Sequence, residues 1–341
     1  MSATAAFREG ITRVNGAPVM LAGMFAVTLL TGLPLAYALS GTIAAHLGPS
    51  LAADGAAQGT NYEWWQEFTA QAQGLGKTFS PSIAGFGAVL DNLEGILDNL
   101  PLASSIAAVT AVWLAVWSFL SGGVIDRLAR RRPTRSHGFF AACGVHFWRF
   151  LRLGVLAWLV YAFLFRYVHG VIFARALGAL THDVGVERTA FAYRVGAYLL
   201  FGALLVACNI VFDYARVRIV VEDRRSAIGA LLAGGRFVRR HAGAAIRLYA
   251  LNALAFLVLI AVYATLAPAA PGAGWRAAAA LGIGQAYIAA RVYLKLLFYA
   301  SETALFQGAL AHASYTAAPA VVWPDSPAAE SIASAEGSPR P

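Results

Sequence analysis

Six apolar runs, each long enough to cross a bilayer, constrain this chain more than any other feature. They cover 18–39, 104–125, 151–173, 194–212, 248–267 and 277–299. About 20 apolar residues in a row span a hydrocarbon core as a helix. The composition agrees: 59% of the 341 residues are hydrophobic and 13% are charged, against about 25% charged in soluble domains. The chain therefore reads as an all-α integral membrane protein with six transmembrane helices.

The first run has a rival reading as a secretory signal, because Ala36-Tyr37-Ala38 resembles a small-residue cleavage site. Its length exceeds the roughly 7–15 residues of a signal core, which favours an uncleaved helix. The division expected is a polar N-terminal tail over 1–17, a membrane domain over 18–312 with an external helical loop over 40–103, and a disordered Ala-, Ser- and Pro-rich tail over 313–341.

Orientation follows from where the basic residues fall. Of 26 Lys and Arg, 18 lie in the N-tail, 126–152, 213–247 and the C-tail; five lie in the alternate loops and three within runs. The positive-inside rule then puts both termini in the cytoplasm and 40–103 outside, in a bacterial cytoplasmic (inner) membrane. Removing the first run would leave the other five in the same orientation. The net charge of +9 thus reflects topology and anionic lipid head groups at the cytoplasmic leaflet, with no nucleic-acid partner.

The external loop holds six acids (Asp54, Glu63, Glu67, Asp91, Glu94, Asp98) and one base, Lys77. Asn61 is placed to cap a helix bearing Trp64, Trp65 and Phe68. Leu90-Asp-Asn-Leu93 recurs as Leu97-Asp-Asn-Leu100, which puts four leucines on one stripe. Such a stripe serves either a cap folded over the protein's own outer face or a docking surface for a protein partner.

Two basic stretches leave apolar runs through an aspartate. Val124-Ile-Asp126 precedes Arg127 to Arg135, then an aromatic segment over 137–150 that reads as an interfacial elbow helix. Val211-Phe-Asp213 precedes Arg216 to Arg225, then a second elbow starting near Ser226. Ala142 to Arg149 resembles Ala233 to Arg239, so the two units form a parallel repeat, or else two basic loops made alike by topology.

Ionisable groups at membrane depth are expensive and mark candidate sites. Asn209, Asp213 and Arg216 are spaced i, i+4 and i+7, and Arg291 and Lys295 are i and i+4, with Glu302 further along the same stripe. Asp213 is expected to pair with Arg291 or Lys295 across a helix interface. Functionally, Arg291, Lys295 and Arg216 would make a cationic pocket for a phosphate or carboxylate head group; structurally, they would snorkel or clamp helices. Arg166 and His169 are three apart and are expected to form a satisfied buried pair. Gly282, Gly284, Ala286, Ala289 and Ala290 predict close packing of the last helix, within the chain or in a homo-oligomer.

Enzyme signatures are missing: there is no HExxH, P-loop, GxSxG or paired-carboxylate cluster. Seven scattered histidines and two cysteines, Cys143 and Cys208, give no metal or disulfide spacing. No cofactor is implied. A non-enzymatic scaffold or lipid-contacting accessory protein is the leading expectation. A carrier of an anionic or lipid substrate using Arg291, Lys295 and Asp213 is the alternative, and an integral-membrane lipid enzyme the third.

Asp213-Tyr-Ala-Arg-Val-Arg, Val221-Glu-Asp-Arg-Arg-Ser226 and Ala290-Arg-Val-Tyr-Leu-Lys-Leu-Leu-Phe-Tyr-Ala resemble bacterial polytopic membrane proteins akin to the membrane domain of some glycerophosphodiester phosphodiesterases. The likeness covers roughly residues 104–310. It implies a helical inner-membrane domain and, since the catalytic barrel of those enzymes is missing, no phosphodiesterase activity.

Overall fold

The computed structural model describes residues 1–48, 50–57, 61–79, 86–100, 104–131, 133–267 and 274–311. Among them no strand occurs. Six helices are long and apolar enough to cross a membrane. Most of their surface faces outward: Leu199, Leu254, Leu257 and Trp158 are among many large apolar side chains more than half exposed. So much contiguous apolar surface is foreign to a soluble monomer and suits a lipid solvent.

α1 (Ala3–Asn15) occupies the segment expected as a polar tail. Its buried residues, Ala3, Ala6, Gly10, Arg13 and Val14, recur at helical spacing, and that face packs on the last helix. The approach is tight, since a Cβ on Gly10 would lie 2.8 Å from Ser301 Cβ. Arg13 Nη1 donates to the Leu128 carbonyl (3.2 Å) and Gln307 Oε1 (2.9 Å), and Nε donates to Glu9 (3.0 Å). Burial pushes the Arg13 guanidinium below its ordinary pKa, with the Glu9 hydrogen bond the largest opposing influence.

α2 (Pro18–Leu47) is the first span, with Pro at its first position and Pro34 inside it. It runs unbroken through Ala36–Ala38 and ends at Gly48, whose φ of 44° suits glycine. Beyond it, α3 (Ala52–Ala57) and α4 (Tyr62–Gln71) fold back onto its end. The expected Asn61 cap is present, with Asn61 Oδ1 accepting from Trp64 N at 2.9 Å. Trp64 and Phe68 are buried with Ala72 against Ile43, Leu47 and Phe79. Trp64 Nε1 donates to His46 Nδ1 at 3.1 Å.

α5 (Gly87–Leu97) carries the leucine stripe, and Leu90, Leu93 and Leu100 are exposed. The helix stops in a Schellman turn. Asn99 takes φ 55°, and Leu100 N donates to Gly95 O at 2.9 Å. That turn anchors the segment to the bundle: Asp98 accepts from Tyr198 OH, Asn99 Nδ2 donates to Phe165 O (3.4 Å), and Leu97 O meets His169 Nε2 (2.9 Å).

α6 (Ser104–Arg130) and α7 (Ser136–Phe163) form the second span and the start of the third. The aromatic segment expected as a separate elbow over 137–150 is instead the first half of α7, continuous with the span. No residue in it breaks a helix, and its buried Cys143, His146 and Phe150 continue into Leu153 on one side. α7 passes through π-helical turns over Leu164–Val168 and Gly170–Ala176 into α8 (Leu177–Thr181). There the i→i+5 bonding widens the turn, so residues three apart no longer superpose. Arg166 is accordingly exposed, whereas His169 stacks on Phe173 (4.4 Å). The expected Arg166–His169 pair does not form.

α9 (Glu187–Val221) is the fourth span; at 35 residues it is about 52 Å long and outruns a hydrocarbon core of about 30 Å. α10 (Ala227–Arg240) starts where expected, with Ser226 Oγ accepting from Gly229 N at 3.1 Å. α11 (Ala242–Leu266) and α12 (Trp275–Ala311) complete the bundle. The turn over 268–273 and the tail over 313–341 lie outside the described residues.

The two basic units pack alike. A Cβ on Gly123 of α6 would lie 2.8 Å from Phe139 O of α7, and one on Gly234 of α10 would lie 3.0 Å from Val211 O of α9. Each close crossing lies near an aspartate that pairs one turn along its own helix: Asp126 with Arg130 (2.7 Å) and Asp213 with Arg216 (2.5 Å). This correspondence supports the repeat reading.

Candidate functional site: a buried polar cluster and an adjoining cavity

Asn209, Asp213 and Arg216 lie on one face of α9, as their spacing requires. Asp213 is 5% exposed, and both its oxygens are engaged. Oδ2 accepts from Asn209 Nδ2 (2.8 Å) and Oδ1 accepts from Arg216 Nη1 (2.5 Å). Asn209 Nδ2 also reaches Tyr249 OH of α11 at 3.3 Å. The expected ion pair from Asp213 to α12 is replaced by one within α9. A partner one turn away on a rigid helix meets the carboxylate without a long side chain having to be ordered across an interface.

α12 supplies two more charges. Lys295 Nζ stands 3.6 Å above the Trp117 ring and 4.4 Å from Trp113, which stack on each other on α6. The ring faces attract the ammonium. Trp117 Nε1 donates to Tyr299 OH at 3.2 Å, tying α6 to α12 again. Glu302 is 2% exposed, and its Oε2 has no partner. The charges of Asp213 and Arg216 both act on it. Arg216, paired with Asp213, keeps 31% of its side chain accessible.

Asp213, Arg216, Lys295 and Glu302 are thus brought together, drawing on α9 and α12 with aromatic support from α6, α7 and α11. Two carboxyl groups face two cations, a formally balanced set.

Arg291 does not join them. It turns to the other neighbour of α12, with its guanidinium 5.7 Å from the Tyr287 ring and 6.0 Å from Phe256 of α11. Among the described residues no carboxylate lies within ion-pair distance of it. The sequence put Arg291 and Lys295 on one stripe, and their side chains meet different neighbours, α11 for Arg291 and α6 for Lys295. Arg291 instead ends a cavity of about 850 Å³ between α5, α11 and α12. Val89, Leu93 and Ile96 wall one side; Phe256 and Ile260 face Leu281 and Ile288 on the other.

Small residues of α12 border this space. A Cβ on Gly282 or Gly284 would meet nothing within 4 Å, so the close internal packing expected there is absent. The tight helix contacts fall at Gly10, Gly123 and Gly234 instead. Among the described residues no group of three His, Cys, Asp or Glu could hold a metal ion.

No family model matches the chain, and neither the curated proteins nor the solved structures contain a match. The likeness to phosphodiesterase membrane domains therefore stands on its quoted residues alone.

Proposed function

We propose that the chain is a non-enzymatic, lipid-contacting accessory protein of a bacterial inner membrane, with both termini cytoplasmic. The observation that carries this reading is the outward face of α10. Ile228 and Leu232 are exposed at i and i+4, and Arg236, Arg239 and Arg240 come after them, also exposed. The opposite face, Ala230, Ala233, Gly234 and Phe237, is buried on the bundle. An exposed apolar stripe running into a basic end fits an interfacial helix seated among anionic head groups. On this reading α10 is an elbow at the cytoplasmic leaflet, and α3 to α5 cap the opposite face. Trp148 and Phe140, both exposed near Arg149 and Arg152, suit the same interface.

In this proposal the cluster is a structural clamp, with Lys295 of α12 held on the tryptophans of α6 and Asp213 paired within α9. A carrier is the second reading. It is favoured by the accessible part of Arg216 and the unpartnered Oε2 of Glu302, since a ligand or proton could act there.

The test is lipid retention by the purified full chain. The parent should keep phosphatidylglycerol in preference to phosphatidylethanolamine. A variant with Arg236→Gln, Arg239→Gln and Arg240→Gln should lose that preference while melting like the parent. Unchanged preference sinks the accessory reading. Saturable anion flux in vesicles that Lys295→Ala abolishes without unfolding the protein would establish the carrier instead.

A further inference from the structure

Arg291 sits near the middle of α12, 16 residues from Trp275, with no anionic partner among the described residues. A cation at membrane depth is normally paired or aimed at a water-filled path. Here it is exposed and borders an open, apolar-walled cavity whose volume, about 850 Å³, falls in the range of small-molecule sites. Two further polar residues line that cavity. Tyr287 OH and Gln285 Oε1 have no hydrogen-bond partner and are shielded from the open space, so these residues border it through their other atoms. Tyr287 lies one turn from Arg291, held by a stack on Tyr263 with ring centroids 3.9 Å apart. Arg291 therefore offers the donors at one end of the cavity.

The other end is apolar. The α12 lining runs from Ala277 to Arg291, about 21 Å at 1.5 Å per residue. One leaflet of hydrocarbon is about 15 Å thick, so a single lipid chain fits that length. Leu93 and Ile96 of α5, each about half exposed, line the chain's path on one side.

We propose that this cavity binds a single-chain amphiphile with one terminal carboxylate, a long-chain fatty acid. The carboxylate lies on Arg291, and the chain runs toward Ala277 beside α5. The planar fork of arginine matches a carboxylate in two parallel hydrogen bonds. The idea deepens the lipid-contacting reading but uses other residues than α10.

Binding of radiolabelled palmitate to the purified full chain tests it, with hexadecanol and phosphatidylglycerol as competitors. Palmitate should bind saturably, hexadecanol should compete about tenfold less well, and phosphatidylglycerol should not displace it. Arg291→Gln should weaken palmitate about tenfold, the value of one hydrogen-bonded charge, and leave hexadecanol unchanged. Arg291→Lys, which keeps the charge, should retain part of what Arg291→Gln loses, and it decides the matter if the glutamine variant misfolds. Gly284→Trp should fill the cavity and remove both ligands. Equal binding of acid and alcohol, displacement by phosphatidylglycerol, or an inert Arg291→Gln each overturns the proposal. So does a Gly284→Trp variant that alters the oligomeric mass but not palmitate binding. Palmitate binding that persists in the triple α10 variant separates this site from the interfacial one.

Discussion

Arg216 Nη1 stands 2.5 Å from Asp213 Oδ1, one turn along the same helix, and Asn209 closes the other side of the carboxylate. Asp213 is buried and Arg216 partly so, so the pair's net attraction matters less than the penalty for losing one member and stranding the other. Asp213→Ala leaves Arg216 and Lys295 without their near counter-charge. It should destabilise the protein by about 3–5 kcal/mol, seen as a lower melting temperature in detergent. Asp213→Ala combined with Arg216→Ala should cost less than the sum of the single changes, because the pair is removed whole.

The N-terminal helix should behave as part of the fold. Gly10→Leu must push side-chain atoms into Ser301, whose Cβ would already lie 2.8 Å from a new Cβ. Overpacking of this kind costs about 1–3 kcal/mol. Gly282→Leu, which meets open space, is the matched control and should melt like the parent. Equal melting of the two variants would mean that α1 does not pack on α12 in the membrane.

Much of this architecture was legible from short-range signals. The six spans follow from apolar run length, and Asn61 and Ser226 sit where their side chains cap the next helix. α1 was legible too, because Ala3, Ala6, Gly10 and Arg13 keep helical spacing; a small polar segment merely hid it. Other features needed distance information. Lys295 finds Trp117, 178 positions earlier, and no local pattern announces that pairing. The π turns around Arg166 break the spacing rule by which a pair was expected. The cavity is walled by α5, α11 and α12, and glycines that suggest packing in one dimension border open space in three. Arg291 and Lys295 share a stripe, yet which neighbour each turns to depends on where Phe256 and Trp117 stand.

The short helix α4 at the far end of α2 rests on a small aromatic core, and its first turn is capped by the Asn61 side chain. Asn61→Ala removes one acceptor from the first turn of α4 and should cost about 1 kcal/mol. Phe68, 1% exposed, should matter more: Phe68→Ala should cost about 3–5 kcal/mol of local stability. Limited proteolysis of the purified protein checks both. Phe68→Ala should open cleavage around residues 61–79 while the spans stay protected, and cleavage no faster than in the parent would show that the aromatic core does not hold α4.

Lys295 offers the sharpest energetic test of the clamp. Its ammonium is 3.6 Å above the Trp117 ring, and the same indole donates to Tyr299 OH. A desolvated cation–π contact is worth about 2 kcal/mol. A double-mutant cycle with Lys295→Met and Trp117→Leu isolates that term, provided both single variants still fold. The expected coupling is about 1–2 kcal/mol in melting or denaturant experiments, smaller than the ideal because Trp113 still flanks the ammonium at 4.4 Å after Trp117 is lost. Adding Trp113→Leu should bring out the remainder. Coupling near zero in both backgrounds would mean that the indole faces do not hold Lys295.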